Sequence, residues 1–428
     1  MEDHMNQIRK VGTLTLGCKV NQYETDAITE MLENDGYQMV PFEEEADVYI
    51  INTCSVTNMA DRKSMKMIRR AKKRNPEAVI VAMGCFVQAK AEELENTEWI
   101  DILIGNNKKK DIVTVLNEYF ETHEKRTEVV DLFHNKEYEE LSLKKQVEHT
   151  RAYIKVQDGC NQFCSYCIIP YTRGRARSRK KEQILEEINS LAKEGYKEVV
   201  LTGIHLSSYG KDLEDTSLLD LIKEVSKIEE IKRIRLGSLE PNIITEEFVK
   251  ELKEDGKFCP HFHLSLQSGC NETLKRMNRH YKAEDFKEKA LLLRKYFDRP
   301  ALTTDVIVGF PGETEEEFEA TYEFLKDIQF YEMHVFKFSP RKGTRAEKME
   351  NPVPEEVKNQ RSAVLIELGN KNKEEYEKLF ENEEKEILIE EEIEENGESF
   401  FVGHTKRYIR YQVPKKSGMA VNEFHSFL

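Results

Sequence analysis

Short apolar runs alternate with charged, helix-periodic stretches along the first quarter of the chain. Three of these runs, at residues 13–18, 47–54 and 78–85, each end in a cysteine, and a fourth at 102–105 does not. This alternation predicts βαβ units around a parallel sheet. Because the carboxyl ends of parallel strands lie along one edge of an open sheet, we expect Cys18, Cys54 and Cys85 to meet there.

The apolar pattern changes twice further along the chain. Residues 121–150 are charged with little apolar periodicity, which predicts a linker or an embracing extension. Six apolar runs follow, and helical stretches separate most of them. This order predicts a parallel (β/α) barrel or partial barrel. These runs lie at 153–156, 198–202, 233–236, 261–266, 304–308 and 333–338.

The last part of the chain predicts a different architecture. Helical periodicity continues over 354–380, and three strand-like runs follow, with Asn396 and Gly397 as a hairpin turn. We therefore predict an α/β protein with an open parallel sheet domain (1–140), a partial (β/α)6 barrel (146–375) and a small antiparallel β domain (376–428).

Composition limits the class of protein. The chain has 428 residues, 39% hydrophobic and 34% charged, and no run approaches the roughly 20 apolar residues of a membrane helix. The first ten residues lack the apolar core of a secretory signal, so we expect a cytoplasmic protein without membrane contact. Its eight cysteines are then metal ligands or buried residues rather than disulfides. The net charge of -15 disfavours nucleic-acid binding unless basic residues cluster locally.

Cys160, Cys164 and Cys167 follow the first predicted barrel strand with three and then two intervening residues. Thiolates hold iron–sulfur clusters, and three ligands on a four-iron cluster leave one iron free to chelate the amino and carboxylate groups of S-adenosylmethionine (SAM). The alternatives are a zinc site, which normally takes four ligands, or buried cysteines. Cys259 and Cys270 have no partner at such spacing, and we assign them no catalytic role.

This spacing, with Tyr166 before the last cysteine and the barrel order, resembles the radical SAM superfamily. Segments 263–269, 304–314 and 339–344 resemble its methylthiotransferase branch, as does the domain order ending in a β module of the TRAM kind. The resemblance covers nearly the whole chain. It implies a second [4Fe-4S] cluster on Cys18, Cys54 and Cys85, which are otherwise either metal ligands or buried structural cysteines.

Loop residues after the barrel strands are candidates for SAM binding. Gly309 and Gly312 follow the fifth strand, where a backbone without side chains could approach a ligand, although a turn capping a strand explains them equally well. The resemblance implies SAM contacts for these two, and for further residues after the second, third and fourth strands: Gly203, Ser238, Glu240 and Gln267.

The substrate is suggested by an arginine-rich segment at 168–181. It resembles the branch that converts threonylcarbamoyl-adenosine, beside the anticodon of tRNA, to its 2-methylthio derivative. Guanidinium groups pair with phosphates or with the carboxylate of that nucleoside, although a solvated loop is the alternative. The candidates are Arg173, Arg175, Arg177 and Arg179. Alternative substrates are isopentenyl-adenosine in tRNA and an aspartate of a ribosomal protein, and another class is a noncatalytic metal-dependent RNA-binding protein.

Two further basic segments are candidates for tRNA contact. One is the run of lysines and arginines over 62–74, and the other, in the terminal module, interleaves Arg407 and Arg410 with His404, Tyr408 and Tyr411. The terminal residues 421–428 stand where similar modules usually continue with a closing apolar strand. The resemblance also implies an electron donor such as flavodoxin or ferredoxin, and the sequence leaves the oligomeric state unknown.

Overall fold

The computed structural model describes residues 8–135, 137–144 and 150–428. Its N-terminal part is a six-stranded parallel sheet in the order β2-β1-β3-β4-β5-β6. One face packs against α1 and α4 and the other against α2 and α3. The bounds are β1 Lys10–Thr15, α1 Lys19–Asn34, β2 Gln38–Val40, β3 Val48–Thr53, α2 Asn58–Arg74, β4 Val79–Gly84, α3 Cys85–Glu95, β5 Ile102–Ile104, α4 Ile112–Thr122 and β6 Arg126–Glu128.

The central strands of this sheet explain why the sequence of the first quarter of the chain predicted a parallel sheet. All six residues of β3 and all six of β4 are buried, because helices cover both faces. Parallel strands covered on both sides have continuous apolar sequences rather than alternating ones. The predicted open parallel sheet is confirmed.

The middle of the chain forms a curved sheet of six parallel strands in chain order: β7, β9, β10, β11, β12 and β13. Ladders join all neighbours except β10 and β11, which are linked where the N–H of Leu239 donates to the carbonyl oxygen of His263 at 2.8 Å. The predicted partial (β/α)6 barrel is confirmed. The bounds are β7 Arg151–Asp158, α5 Ile169–Thr172, β8 Arg177–Ser178, α6 Lys181–Lys193, β9 Glu198–Gly203, α7 Leu218–Ser226, β10 Arg233–Leu236, α8 Glu246–Asp255, β11 His261–His263, α9 Asn271–Arg276, α10 Ala283–Tyr296, β12 Ala301–Val308, α11 Glu315–Ile328 and β13 Glu332–Lys337.

One long helix, α12 (Glu355–Lys378), leads from the barrel to the terminal module. Leu365 and Leu368 join the barrel core, and Lys337 on β13 donates to Asn359 at 2.8 Å. In the described part of the chain, no helix has both the length and the apolar character needed to cross a bilayer.

The chain ends in an antiparallel sheet in the order β16-β15-β14-β17. The predicted hairpin turn is confirmed, because Asn396 and Gly397 have φ angles of 53° and 81°, as the tight turn between β14 and β15 requires. The last strand pairs with β14 although its sequence did not predict a strand. The bounds are β14 Lys385–Glu395, β15 Glu398–His404, β16 Arg410–Pro414 and β17 Phe424–Phe427.

The segment predicted as a linker or extension is partly a sheet strand. β6 pairs with β5 and forms the edge of the N-terminal sheet, so the linker interpretation is wrong there. Further on, Leu141 and Leu143 are buried against Tyr23 and Ala27 of α1, which agrees with an embracing extension. The segment contains too few apolar residues for periodicity to reveal these contacts.

The terminal module closes the lower end of the barrel, where its strands begin. Arg233 donates to the carbonyl oxygen of His404 at 2.9 Å, and Arg235 donates to that of Lys406 at 3.1 Å. The Tyr408 ring stacks on both His261 and His404, with ring centres 5.0 and 4.5 Å apart. The module is therefore held by polar contacts inside the barrel mouth.

Replacing Tyr408 by alanine is expected to loosen this closure. The ring stacks on two histidines and lies beneath Arg151 and Arg235, at 4.9 and 4.8 Å. Such contacts together contribute about 1–3 kcal/mol. Limited proteolysis should cut residues 376–428 faster in Tyr408→Ala than in the wild type. Arg410→Ala, at a largely exposed position, is the control, and equal cutting rates for all three proteins would contradict this role.

Candidate functional site

The loop after β7 carries Cys160, Cys164 and Cys167 at the carboxyl end of the barrel strands. The loop turns tightly, because the N–H of Cys167 donates to the carbonyl oxygen of Cys164 at 3.0 Å. Burial raises the pKa of the Cys160 thiol to about 12, and the charge of Cys164 adds to the shift. Burial and both neighbouring thiols likewise raise the pKa of Cys167. The three thiols therefore share one poorly hydrated space, where thiolates need a compensating cation or metal.

Nitrogen donors surround these thiols. Arg279 donates to the sulfur of Cys164 at 3.1 Å, and the N–H of Gln162 donates to that of Cys160 at 3.4 Å. Three thiolates with N–H donors fit an iron–sulfur cluster that keeps one iron open. They fit a structural zinc site poorly, since such a site normally takes four ligands and this loop supplies three.

The N-terminal cysteines also converge. Cys18 precedes α1, Cys54 follows β3 and Cys85 begins α3. Burial raises the pKa of Cys54 to about 11, and the charges of Cys85 and Cys18 contribute to the shift. A Cβ atom on Gly17, whose φ is 110°, would come within 3.0 Å of the Cys54 sulfur. A side chain at position 17 would therefore collide with Cys54, and glycine lets the chain pass close to that thiol. The three converging thiols fit a second cluster.

Arg173 connects the two cysteine sets and is completely buried. Its Nε donates to the sulfur of Cys85 at 3.3 Å. Its two terminal nitrogens donate to Glu24 and Asp158, at 2.9 and 3.1 Å, and to Asn21 at 2.7 Å. Because Asp158 stands two residues before Cys160, this guanidinium joins the loops that carry both sets.

The surrounding charges form a buried network. Burial alone would raise the pKa of Glu24, but Arg173, Lys109 and Lys155 outweigh it and hold the pKa well below its usual range. Lys109 and Lys155 donate to the two carboxylate oxygens of Glu24 at 2.6 and 2.8 Å. Glu24 is therefore ionised, and it fixes α1 against both the barrel and the loop after β5.

The arginine-rich segment does not form the exposed phosphate-binding loop that its composition predicted. Arg173 is fully buried and Arg177 and Arg179 are each 2% exposed, so direct RNA contact is wrong for these three. Arg177 donates to the carbonyl oxygen of Arg173 at 2.8 Å, and Arg179 pairs with Glu187. Arg175 is exposed, with its guanidinium over the ring of Phe133.

The residues predicted to bind SAM all lie at the carboxyl ends of the strands, on the same side as Cys160. Glu240 accepts from Arg279 at 2.6 Å, which links it to the cysteine loop. Burial by itself raises the pKa of Glu240. His205 and Arg279 lower the pKa by a larger amount, so it lies below its usual value. The other members are the exposed Ser238, Gln267 with φ 72°, and the strand-end glycines Gly203, Gly309 and Gly312.

Gly309 has a structural explanation of its own. Its φ is 71°, and a Cβ there would collide with the Lys358 side chain on α12. The missing side chain therefore makes room for α12. A Cβ on Gly312 would lie 3.5 Å or more from its nearest neighbours, the side-chain atoms of Arg276, which is ordinary contact.

The two other predicted basic surfaces have different outcomes. In the terminal module, Arg407 donates to the carbonyl oxygens of Asp298 and Arg299 on the barrel and is partly exposed, whereas Arg410 is exposed. RNA contact by these two residues stays a prediction. On α2, most of the predicted cations form one exposed face. The exposed members are Arg62, Lys63, Lys66, Arg69, Arg70 and Lys73.

Several residues of the site were missed by sequence reasoning. Asn21 and Glu24 lie three and six residues after Cys18, on one side of α1, and this helical spacing was a usable signal. Arg279 and Arg341 carried no such signal. Arg341 donates to Ser55 at 2.7 Å and thereby ties the loop after β13 to the turn after Cys54.

Comparison with known proteins relates this geometry to two families. Residues 154–325 match the family described as the radical SAM superfamily, and residues 10–105 match uncharacterized protein family UPF0004. Threonylcarbamoyladenosine tRNA methylthiotransferase MtaB of Bacillus subtilis (strain 168) is 44% identical, and the match covers 92% of this chain and 88% of that relative. The tRNA-2-methylthio-N(6)-dimethylallyladenosine synthase of Clostridium botulinum (strain Langeland / NCTC 10281 / Type F) is 36% identical, covering 94% and 90%.

A solved structure shares the fold. The radical S-adenosylmethionine methyltransferase TsrM from Kitasatospora setae, with cobalamin and a [4Fe-4S] cluster bound, superposes with a TM-score of 0.57. The match covers 77% of this chain and 72% of that one at 16% identity. At this identity the likeness extends to the arrangement of the sheet domain and the barrel alone.

Proposed function

The chain belongs to the radical SAM methylthiotransferase family, and we propose that it converts N6-threonylcarbamoyladenosine at position 37 of tRNA, next to the anticodon, to its 2-methylthio derivative. The observation that carries the reaction is the convergence of two thiol triads on loops joined by Arg173. The noncatalytic alternative is set aside, because the family is one of enzymes. Identity of 44% to a threonylcarbamoyladenosine enzyme, against 36% to a dimethylallyladenosine enzyme, supports the substrate.

We propose that each triad holds one [4Fe-4S] cluster. The cluster on Cys160, Cys164 and Cys167 supplies, when bound, the electron that splits SAM, and the other, on Cys18, Cys54 and Cys85, supplies the sulfur. The chain itself would stabilise thiolate charge through Arg279 and Arg173, and four of the six thiols are buried. Six strand-end residues would line the SAM pocket: Gly203, Ser238, Glu240, Gln267, Gly309 and Gly312.

We propose that tRNA approaches over α2. This helix begins four residues after Cys54 and presents six exposed cations on a chain of net charge -15. Phosphate contacts of this kind orient RNA without reading its sequence. Arg175 and Arg410 would extend this contact. The reaction needs an electron donor such as flavodoxin or ferredoxin, and the cytoplasm provides both it and tRNA.

Nucleoside mass spectrometry of tRNA from a strain lacking this gene tests the proposal. We expect the 2-methylthio form of threonylcarbamoyladenosine to disappear and its unmethylthiolated precursor to accumulate. Re-expression of the wild-type chain should restore the product, whereas Cys54→Ala should not. Persistence of that product, with loss of the methylthio group from isopentenyladenosine or from a ribosomal protein, would assign the chain to another branch.

A further inference from the structure

The inner face of the barrel is charged in its lower half. Along β7 and β10, residues such as Ile154 and Ile234 pack outward against the helices. The residues that alternate with them, including Arg151, Tyr153 and Arg235, therefore point inward. The Tyr408 ring of the terminal module lies beneath two of these arginines and closes the barrel from below.

Each inward arginine in this region has a carboxylate partner. The pairs are Arg151 with Glu390 at 3.2 Å, Arg233 with Glu386 at 3.0 Å, and Arg235 with Glu198 at 2.9 Å. Glu390 also binds His404 of the terminal module at 2.8 Å. The charges of these arginines are thus balanced within the protein.

Lys19 enters the same space from the N-terminal sheet domain. It is the first residue of α1, directly after Cys18, and its side chain is exposed. Its Nζ lies 5.9 Å from the centre of the inward-facing Tyr153 ring. Arg151 stands two residues before Tyr153 on the same face of β7, so the Lys19 side chain reaches a region that already holds a cation. Among the residues that the structure describes, Lys19 forms no hydrogen bond and no ion pair, so one positive charge in the barrel lacks an anion.

We propose that Lys19 binds the carboxylate of the threonylcarbamoyl group and thereby selects the substrate, an inference that rests on the function proposed above. An ammonium group that lacks an anionic partner gains from a single added negative charge, whereas the neighbouring arginines already have carboxylate partners. The threonylcarbamoyl carboxylate supplies one, whereas an isopentenyl group supplies none and would leave Lys19 unpaired.

The chemistry of adenine makes the position of Lys19 suitable. The substituent on N6 and the carbon C2 lie on the same edge of the ring, separated by N1 and C6. A residue that holds the N6 substituent must therefore stand near the group that delivers sulfur to C2. Lys19 meets this condition, because it adjoins Cys18 in the chain and its side chain extends from there into the barrel.

The test uses reconstituted full-length enzyme and two anticodon stem-loop RNAs. One carries threonylcarbamoyladenosine, and the other carries the same nucleoside with its carboxylate converted to a carboxamide. We expect Lys19→Gln to raise the KM and the Kd for the carboxylate RNA by about 10- to 100-fold, the value of a charge-assisted hydrogen bond. For the carboxamide RNA the change should be less than about threefold, since the charge pair is already absent.

Two variants and one measurement control for structural damage. Lys19→Arg keeps the charge and should retain most of the selectivity for the carboxylate. Lys193→Gln, at the exposed last residue of α6, should change neither constant. Iron content per chain should match the wild type in every variant, because each keeps all six cysteines of the two triads and the Lys19 side chain extends toward Tyr153.

The outcomes separate the two proposals. Wild-type turnover of the carboxylate RNA with unchanged constants in Lys19→Gln would overturn the role of Lys19 alone. Equal weakening for both RNAs would also overturn it, because a charge pair acts only on the carboxylate. A wild-type enzyme that does not modify the carboxylate RNA but methylthiolates isopentenyladenosine would overturn the proposed function and this inference with it.

Discussion

Cys164→Ala is expected to abolish reductive cleavage of SAM, while Cys54→Ala leaves cleavage intact and eliminates methylthio transfer. Cys164 stands in the centre of the barrel loop, where Arg279 donates to its sulfur, so removing this thiol takes one of three ligands from the SAM-binding site. Cys54 belongs to the other triad, among Cys18, Cys85 and Gly17. The two substitutions therefore affect different steps of the reaction.

Anaerobic reconstitution provides the measurement. Formation of 5′-deoxyadenosine reports SAM cleavage, methylthiolated stem-loop RNA reports transfer, and iron per chain reports cluster content. Each variant should lose about four of eight irons, because one four-iron cluster is lost and the other remains. Cys259→Ala is the matched control, since Cys259 is fully buried and lies outside both triads. Equal loss of both activities in both cysteine variants would show that the clusters do not have separate roles.

The strands were predictable from the sequence because their burial is uniform. Runs such as Val79–Gly84 are covered on both faces, and the barrel strands recur with regular helical spacers. The sequence also predicted that the cysteines of each set lie close together, because the carboxyl ends of parallel strands share one edge of the sheet. Strands of three or four residues at sheet edges, Arg126–Glu128 and Phe424–Phe427, were not predicted, since pairing alone holds them in place.

The charged residues were harder to interpret. Arg173 and Arg407 belong to segments that look solvated, yet both bind groups supplied by distant parts of the chain. A sequence shows how many cations a loop carries, but it does not show which carboxylates or carbonyl groups the fold brings to them. The run on α2 was interpreted correctly as an exposed basic face, because helical spacing determines which residues share a side.

The buried position of Arg173 has a consequence for stability as well as chemistry. It contacts the side chains of Asn21, Glu24 and Asp158 and the sulfur of Cys85. α1 belongs to the sheet domain, whereas Asp158 ends the first barrel strand. Arg173 is therefore one of the groups that set the relative placement of the two thiol triads, and a lysine could not replace it because it lacks the planar fork of donors.

Arg173→Gln is expected to lower the free energy of unfolding by about 3–5 kcal/mol, since removing one member of a buried charge network leaves the others unpaired. Arg175→Gln is the matched control two residues away, where exposure predicts a change within about 0.5 kcal/mol. Anaerobic denaturant unfolding of both variants measures the difference. Lys109 and Lys155 remain on Glu24 in Arg173→Gln, so the protein should still fold in water. Equal unfolding midpoints for the two variants would contradict the bridging role of Arg173. If the role is correct, Arg173→Gln should also bind less iron at the N-terminal triad than Arg175→Gln, because Cys85 has lost the guanidinium that donates to its sulfur.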